Sequence, residues 1–83
     1  MTASETTDPV VVDLLGFLTR LTKAEHAPDE DLFAAGGLSS LMALELVVHV
    51  EREYGITVAG DELSLDNFRT AEAMARLVRR LRS

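Results

Sequence analysis

Residues 31–55 read DLFAAGGLSSLMALELVVHVEREYG, a glycine-bearing loop that turns into a long apolar-periodic segment. The Gly36–Gly37 pair breaks regular structure, and from Ser39 or Ser40 a helix is expected to run to Tyr54, where Gly55 is a natural stop. Leu41, Leu44, Val47, Val48 and Tyr54 are expected to face a core, with Glu45, Glu51, Arg52 and Glu53 in water. A serine at such a helix start meets unpaired backbone N–H groups and the positive end of the helix dipole, an environment that favours a phosphate. Its hydroxyl stands on a rigid base, which suits covalent attachment of a phosphodiester-linked arm. On residue chemistry alone, however, most serines at this position are only caps.

Working outward, Asp8 can cap a first helix with Pro9 at its opening position. Val10, Leu14, Phe17, Leu18 and Leu21 then form one apolar stripe, which predicts a helix over about residues 9–24. Residues 25–39 read as a long loop broken by Pro28, with Leu32 and Phe33 pinning it to the core. After Gly55, Ile56 and Val58 are expected to plug the core from a loop. Leu63, Leu65 and Phe68 should anchor a short helical turn around LDNF, capped by Asp66. Thr70 caps a last helix with Ala71, Met74, Leu77, Val78 and Leu81 inside, and its closing arginines complement the helix dipole. The fold class is therefore all-α: three main helices plus one short helix in a small four-helix bundle, with residues 1–7 a flexible tail before a domain at 8–83.

Eighty-three residues suit a single compact domain. Without cysteine there is no disulfide and no thiolate metal site or nucleophile. His26 and His49 stand alone, without the paired spacing of a metal centre, and no nucleophile elbow or phosphate-binding lysine loop occurs. Neither catalysis nor metal binding is expected. The formal net charge is −6, and residues 70–83 hold Arg76, Arg79, Arg80 and Arg82 against Glu72 alone. The remainder carries 13 acids against 4 bases. Such a surface repels nucleic acid and attracts proteins with basic patches. The opening MTASETTDP lacks an apolar signal core, and no run approaches the ~20 apolar residues of a membrane span, so a cytoplasmic location is expected.

Residues 31–55 resemble the recognition segment of acyl and peptidyl carrier proteins. Ser40-Leu41 match that family's Ser-Leu pair, Glu45-Leu46 fall at its spacing, and Asp31-Leu32-Phe33 match its upstream motif; the likeness extends over roughly residues 9–81. Ser39 stands where the family usually has Asp, His or Asn. The resemblance implies a bundle of acyl-carrier type and a 4'-phosphopantetheine arm, taken from coenzyme A by a phosphopantetheinyl transferase and attached to Ser40. The arm's thiol would carry an acyl group as a thioester between acyl-loading and tailoring enzymes. It further implies a monomer with an acidic address for partners at Glu45, Glu51 and Glu53. Residues flanking an exposed serine are expected to face solvent, so Leu41 and Met42 are candidates for partner contact; core packing is an equal expectation for Leu41, and Met42, off the main stripe, is the better candidate for exposure. Residues 62–74, ELSLDNFRTAEAM, resemble the third-helix region of discrete carriers that supply methoxymalonyl-type units, made from a glyceryl thioester, to a polyketide synthase in antibiotic biosynthesis. The alternatives are a peptidyl carrier holding an aminoacyl group and an unmodified helical adaptor.

Overall fold

The computed structural model describes residues 8–34 and 37–82. The expected tail at residues 1–7, and Gly36 of the glycine pair, lie outside the described residues. Helix α1 spans Pro9–Thr22, and the Asp8 carboxylate caps it by accepting from the Val10 N–H at 3.0 Å. It stops short of residue 24 because Lys23 adopts the left-handed conformation (φ 62°) and donates its N–H to the Thr19 carbonyl. The following loop is tied down rather than loose. His26 bridges Thr22 Oγ1 (2.7 Å) and the Glu30 carboxylate (3.1 Å), and this bond, then one from the Ala27 N–H, holds Glu30 below the usual carboxylate range. Backbone bonds from Leu32 N–H to the Arg69 carbonyl and from Glu72 N–H to the Pro28 carbonyl fasten the loop to the far corner of the chain. Leu32 and Leu38 are buried and Phe33 is half-buried.

Helix α2 spans Ser40–Tyr54 and ends at Gly55, whose φ of 65° costs a glycine little. A single 3₁₀ turn, Gly60–Glu62, precedes the short α3, Leu65–Phe68; α4, Ala71–Arg82, closes the chain. Thr70 caps α4 as expected, its hydroxyl accepting from the Ala73 N–H at 2.9 Å. An ion pair joins Asp8, before α1, to Arg79, near the end of α4, so these two helices run antiparallel. Leu14 and Leu18 of α1, Leu46 and Val50 of α2, and Met74, Leu77 and Val78 of α4 fill the centre, with Ile56 and Val58 plugging it from the loop. The described residues form helices and no strand, in agreement with an all-α bundle of three main helices and one short one.

Three expectations are corrected. The inward face of α2 is not Leu41, Leu44 and Val48, which are 67%, 58% and 43% exposed, but Leu46 and Val50, both at 0%. Met42, Val47 and Tyr54 pack half-buried around them. Apolar residues occupy most of the α2 circumference, so periodicity alone leaves the phase open, and the packing partners choose it. Leu63 and Leu65 are exposed, leaving Phe68 as the side chain that anchors α3. Asp66 is not the α3 cap: Ser64 holds that position without a side-chain bond, while Asp66 pairs with Arg69 at 3.0 Å.

Candidate functional site

The approach to α2 is set by close backbone packing. A Cβ at Gly37 would lie 2.3 Å from the Leu32 carbonyl oxygen, so only glycine lets the loop fold back here. Leu38 then buries its side chain and delivers the next two residues to the helix start. They divide the roles. Ser39, in extended conformation, is the N-cap: its Oγ accepts from the Met42 N–H at 3.2 Å, and its carbonyl accepts from Ala43 at 2.9 Å. Ser40 is the first helical residue, exposed, and its hydroxyl makes no hydrogen bond to the described residues. The Ser40 hydroxyl is thus available for chemistry, while Ser39 is engaged in holding the helix end.

Ser40 stands at the mouth of an open, largely apolar groove of ≈ 270 Å³ between α2 and α3. Leu44 and Val47 form one side, Leu63 and Leu65 the other, and Phe33 and Phe68 help to close it. This explains why Leu63 and Leu65 stay in water: they edge a groove instead of filling the core. An exposed hydroxyl at the positive end of a helix dipole and an adjoining apolar groove together fit a phosphodiester followed by a flexible, partly apolar arm. That arm would supply a thiol for thioester formation, which no side chain of this cysteine-free protein offers.

The neighbouring residues do not all sit as expected. Leu41 is the more exposed member of its pair, whereas Met42 packs against the core because it lies one turn before Leu46 on the same face. Glu45 and Glu53 are exposed. Glu51 is half-buried, and its carboxylate accepts from the Val58 N–H at 2.9 Å, fastening the loop that carries Ile56 and Val58.

Sequence reading missed a second cluster altogether. Asp13 Oδ2 accepts from the Tyr54 hydroxyl at 2.7 Å and lies 3.1 Å from His49 Nε2. The His49 ring stacks on Phe17, with centroids 4.0 Å apart and planes 12° from parallel. Burial, reinforced by the Asp13 bond, pushes the Tyr54 phenol above its ordinary range. The Arg82 guanidinium sits over the same ring, 5.6 Å from its centre. Sequence separations of 36 and 41 residues explain why no local motif announced these contacts. No group of three or more potential metal ligands occurs among the described residues. No described helix is long and apolar enough to cross a membrane.

The family model described as "Phosphopantetheine attachment site" matches residues 10–78, nearly the whole of the described bundle. The chain belongs to this family of carrier domains. The D-alanyl carrier protein of Streptococcus mutans serotype c is 40% identical over 55 residues, 66% of this chain and 70% of that protein. The D-alanyl carrier protein of Streptococcus sanguinis matches to the same extent. That of Streptococcus suis is 44% identical over 43 residues, covering 52% of this chain and 54% of the relative. The molecule is therefore a carrier and not a catalyst, its cofactor is covalent 4'-phosphopantetheine, and its partners include a phosphopantetheinyl transferase and loading enzymes.

Proposed function

We propose that Ser40 bears the 4'-phosphopantetheine arm and that the chain carries an acyl group on it as a thioester. The observation that carries this reading is the division of labour at the start of α2: Ser39 is engaged as the cap, and Ser40 is exposed, its hydroxyl making no hydrogen bond to the described residues. In the attachment step the Ser40 oxygen forms a new bond to the phosphorus that bears the pantetheine of coenzyme A. The bond from that phosphorus to the nucleotide breaks, 3',5'-adenosine diphosphate leaves, and the hydroxyl proton passes to the transferase or solvent. The chain contributes a rigid helix start, the positive end of its dipole and a recognisable surface. Exposed Leu41, Glu45 and Glu53 support a partner-facing role, whereas Met42 packs against the core and Glu51 is engaged by the Val58 N–H. The reading puts a monomer in the cytoplasm, where coenzyme A is supplied.

Intact mass after incubation with coenzyme A and a phosphopantetheinyl transferase tests the attachment. Wild type and Ser39→Ala should gain the arm, and Ser40→Ala should not. A gain in Ser40→Ala would refute the assignment, and no gain in wild type would favour an unmodified adaptor.

Two cargo readings each rest on one observation. Asp66-Asn67-Phe68-Arg69 support a glyceryl cargo converted to a methoxymalonyl-type unit for a polyketide synthase, through the resemblance of that segment. The similarity to D-alanyl carrier proteins supports an aminoacyl cargo instead. Mass spectrometry of the carrier from its native host separates them: a glyceryl-derived group upholds the first, and an alanyl group upholds the second.

A further inference from the structure

Charge is sorted along this molecule, and its basic share collects on one strip of α4. Arg76, Arg79 and Arg80 are spaced three and four residues apart, so they stand together on the exposed side of the helix, with Glu72 one turn before them. Met74, Leu77 and Val78 turn the opposite side into the core that α2 shares through Leu46 and Val50, so the strip faces away from α2. The strip is only partly neutralised by its own chain. Arg79 pairs with Asp8, and Arg80 reaches the side-chain oxygen of Asn67 at 3.5 Å, but Arg76 makes no hydrogen bond or ion pair with any described residue. Beside Arg76 and Arg79 a polar groove of ≈ 290 Å³ opens between the start of α1 and α4, with the buried Val11 and Ala75 at its base. In a chain of net charge −6, this is a local field of the opposite sign.

Going beyond the attachment reading, and resting on the carrier role for its purpose, we propose that the arginine strip of α4 docks an acidic segment of a partner enzyme, with one carboxylate seated in the groove against Arg76. A guanidinium offers a planar fork that matches a carboxylate at two points. The order of charge sets the direction of the segment, because Glu72 repels an acid at one end of the strip while three arginines attract acids along the rest. The width of the strip selects the class of partner. A bilayer or a nucleic acid duplex is a broad negative surface that would also meet Asp8, Glu72 and the acids beyond them, whereas a single segment touches the strip alone. Position gives the contact its use. Asp8 meets Arg79, Asp13 meets Tyr54, and Arg82 lies over Tyr54, so the start of α1 and the ends of α2 and α4 share one end of the bundle. Ser40 opens α2 at the other end, about 20 Å away along its 15 residues. A segment held on α4 therefore leaves Ser40 open, and it keeps the carrier at high effective concentration for the enzyme that bears the segment.

The test titrates a synthetic oligoglutamate peptide into the isotope-labelled full chain in about 0.15 M salt, where screening acts over ~8 Å. Amide resonances of residues 72–80 should shift saturably, and oligoglutamine of the same length should shift none. Arg76→Glu should raise Kd by about tenfold and Arg76→Gln by about threefold, whereas Arg20→Glu, the same reversal at an exposed position on α1, should change it by less than about twofold. Circular dichroism should show all three variants folded, because Arg76 has no described partner to lose and Arg20 is a surface residue. Saturating peptide should leave the rate of mass gain from coenzyme A and transferase within about twofold, since the strip and Ser40 do not overlap. No saturable shift on α4, an equal loss in Arg20→Glu, shifts with oligoglutamine, or peptide that blocks attachment each overturns the proposal. Tighter binding of phosphatidylserine vesicles or duplex RNA through the same arginines overturns it too. A mass gain in Ser40→Ala would refute the attachment site alone, and the shift map with the Arg76 variants would still decide the strip.

Discussion

Replacing Leu46 by alanine should destabilise this domain severely, whereas the same change at Leu44, two residues earlier, should be nearly silent. Both leucines lie on α2 with similar helix propensity costs, so the comparison isolates burial. Leu46 is 0% exposed and packed among α1 and α4 side chains, while Leu44 is 58% exposed. Truncating a fully buried leucine costs ~2–5 kcal/mol through lost transfer energy and the cavity left behind. A chain of this length has a total stability of roughly 4–12 kcal/mol, so Leu46→Ala removes a large share of it. At ~4–8 °C per kcal/mol for a small domain, a loss of about 3 kcal/mol lowers Tm by roughly 12–24 °C. Leu44→Ala should stay within about 0.5–1 kcal/mol. Urea unfolding followed by circular dichroism measures both, and the midpoint should move for Leu46→Ala with little change in slope. Equal losses at the two positions, or a larger one at Leu44, would refute the inward phase assigned to α2.

Charge reversal should separate two acids that look alike in the sequence: Glu51→Lys breaks the bond to the Val58 N–H and should cost about 1–2 kcal/mol in urea unfolding, whereas Glu45→Lys should leave stability within about 0.5 kcal/mol. Gly37→Ala forces a Cβ against the Leu32 carbonyl, so it should lose about 1–3 kcal/mol by thermal unfolding and slow modification by the transferase. Ser39→Ala removes the α2 cap and should cost ~1 kcal/mol by the same measurement while intact mass still shows the arm. The phenol of Tyr54 has a folded pKa raised above its unfolded value of about 10, so its stabilising contribution is complete below pH ~10 and is lost as pH rises through the folded value. As the protein's single tyrosine, its phenolate absorbance should be suppressed at about pH 10.5 in the folded chain and should emerge at lower pH in Asp13→Ala; an ordinary titration in wild type would contradict the buried hydrogen bond.

Much of this molecule is written in short stretches of chain. Asp8 before Pro9, Ser39 before Ser40, Gly55 and Thr70 mark helix ends through bonds to residues two to four positions away, and the structure places each of those ends accordingly. Local chemistry left the start of α2 open between Ser39 and Ser40, and the resemblance to carrier proteins singled out Ser40; the structure makes Ser39 the cap and Ser40 the first, exposed helical residue. The composition of α4 was equally decisive. Its apolar residues fall on one side and its arginines on the other, so only one face can be buried.

Other features depend on what the chain brings together from afar. Helix α2 carries apolar side chains around most of its circumference, and its contacts with α1 and α4 decide that Leu46 and Val50 enter the core while Leu41, Leu44 and Val48 stay outside. Glu51 became a structural tie when Val58 returned beneath α2, and Leu63 and Leu65 became groove edges when α3 and the segment before it came to lie opposite α2. The Asp13–His49–Tyr54 cluster exists only because antiparallel packing sets the start of α1 beside the end of α2. Hydrogen bonds and apolar periodicity along one segment determine where a helix begins and ends. Which of its faces is buried is decided by the surfaces it meets, because burial free energy belongs to pairs of surfaces and not to either one alone.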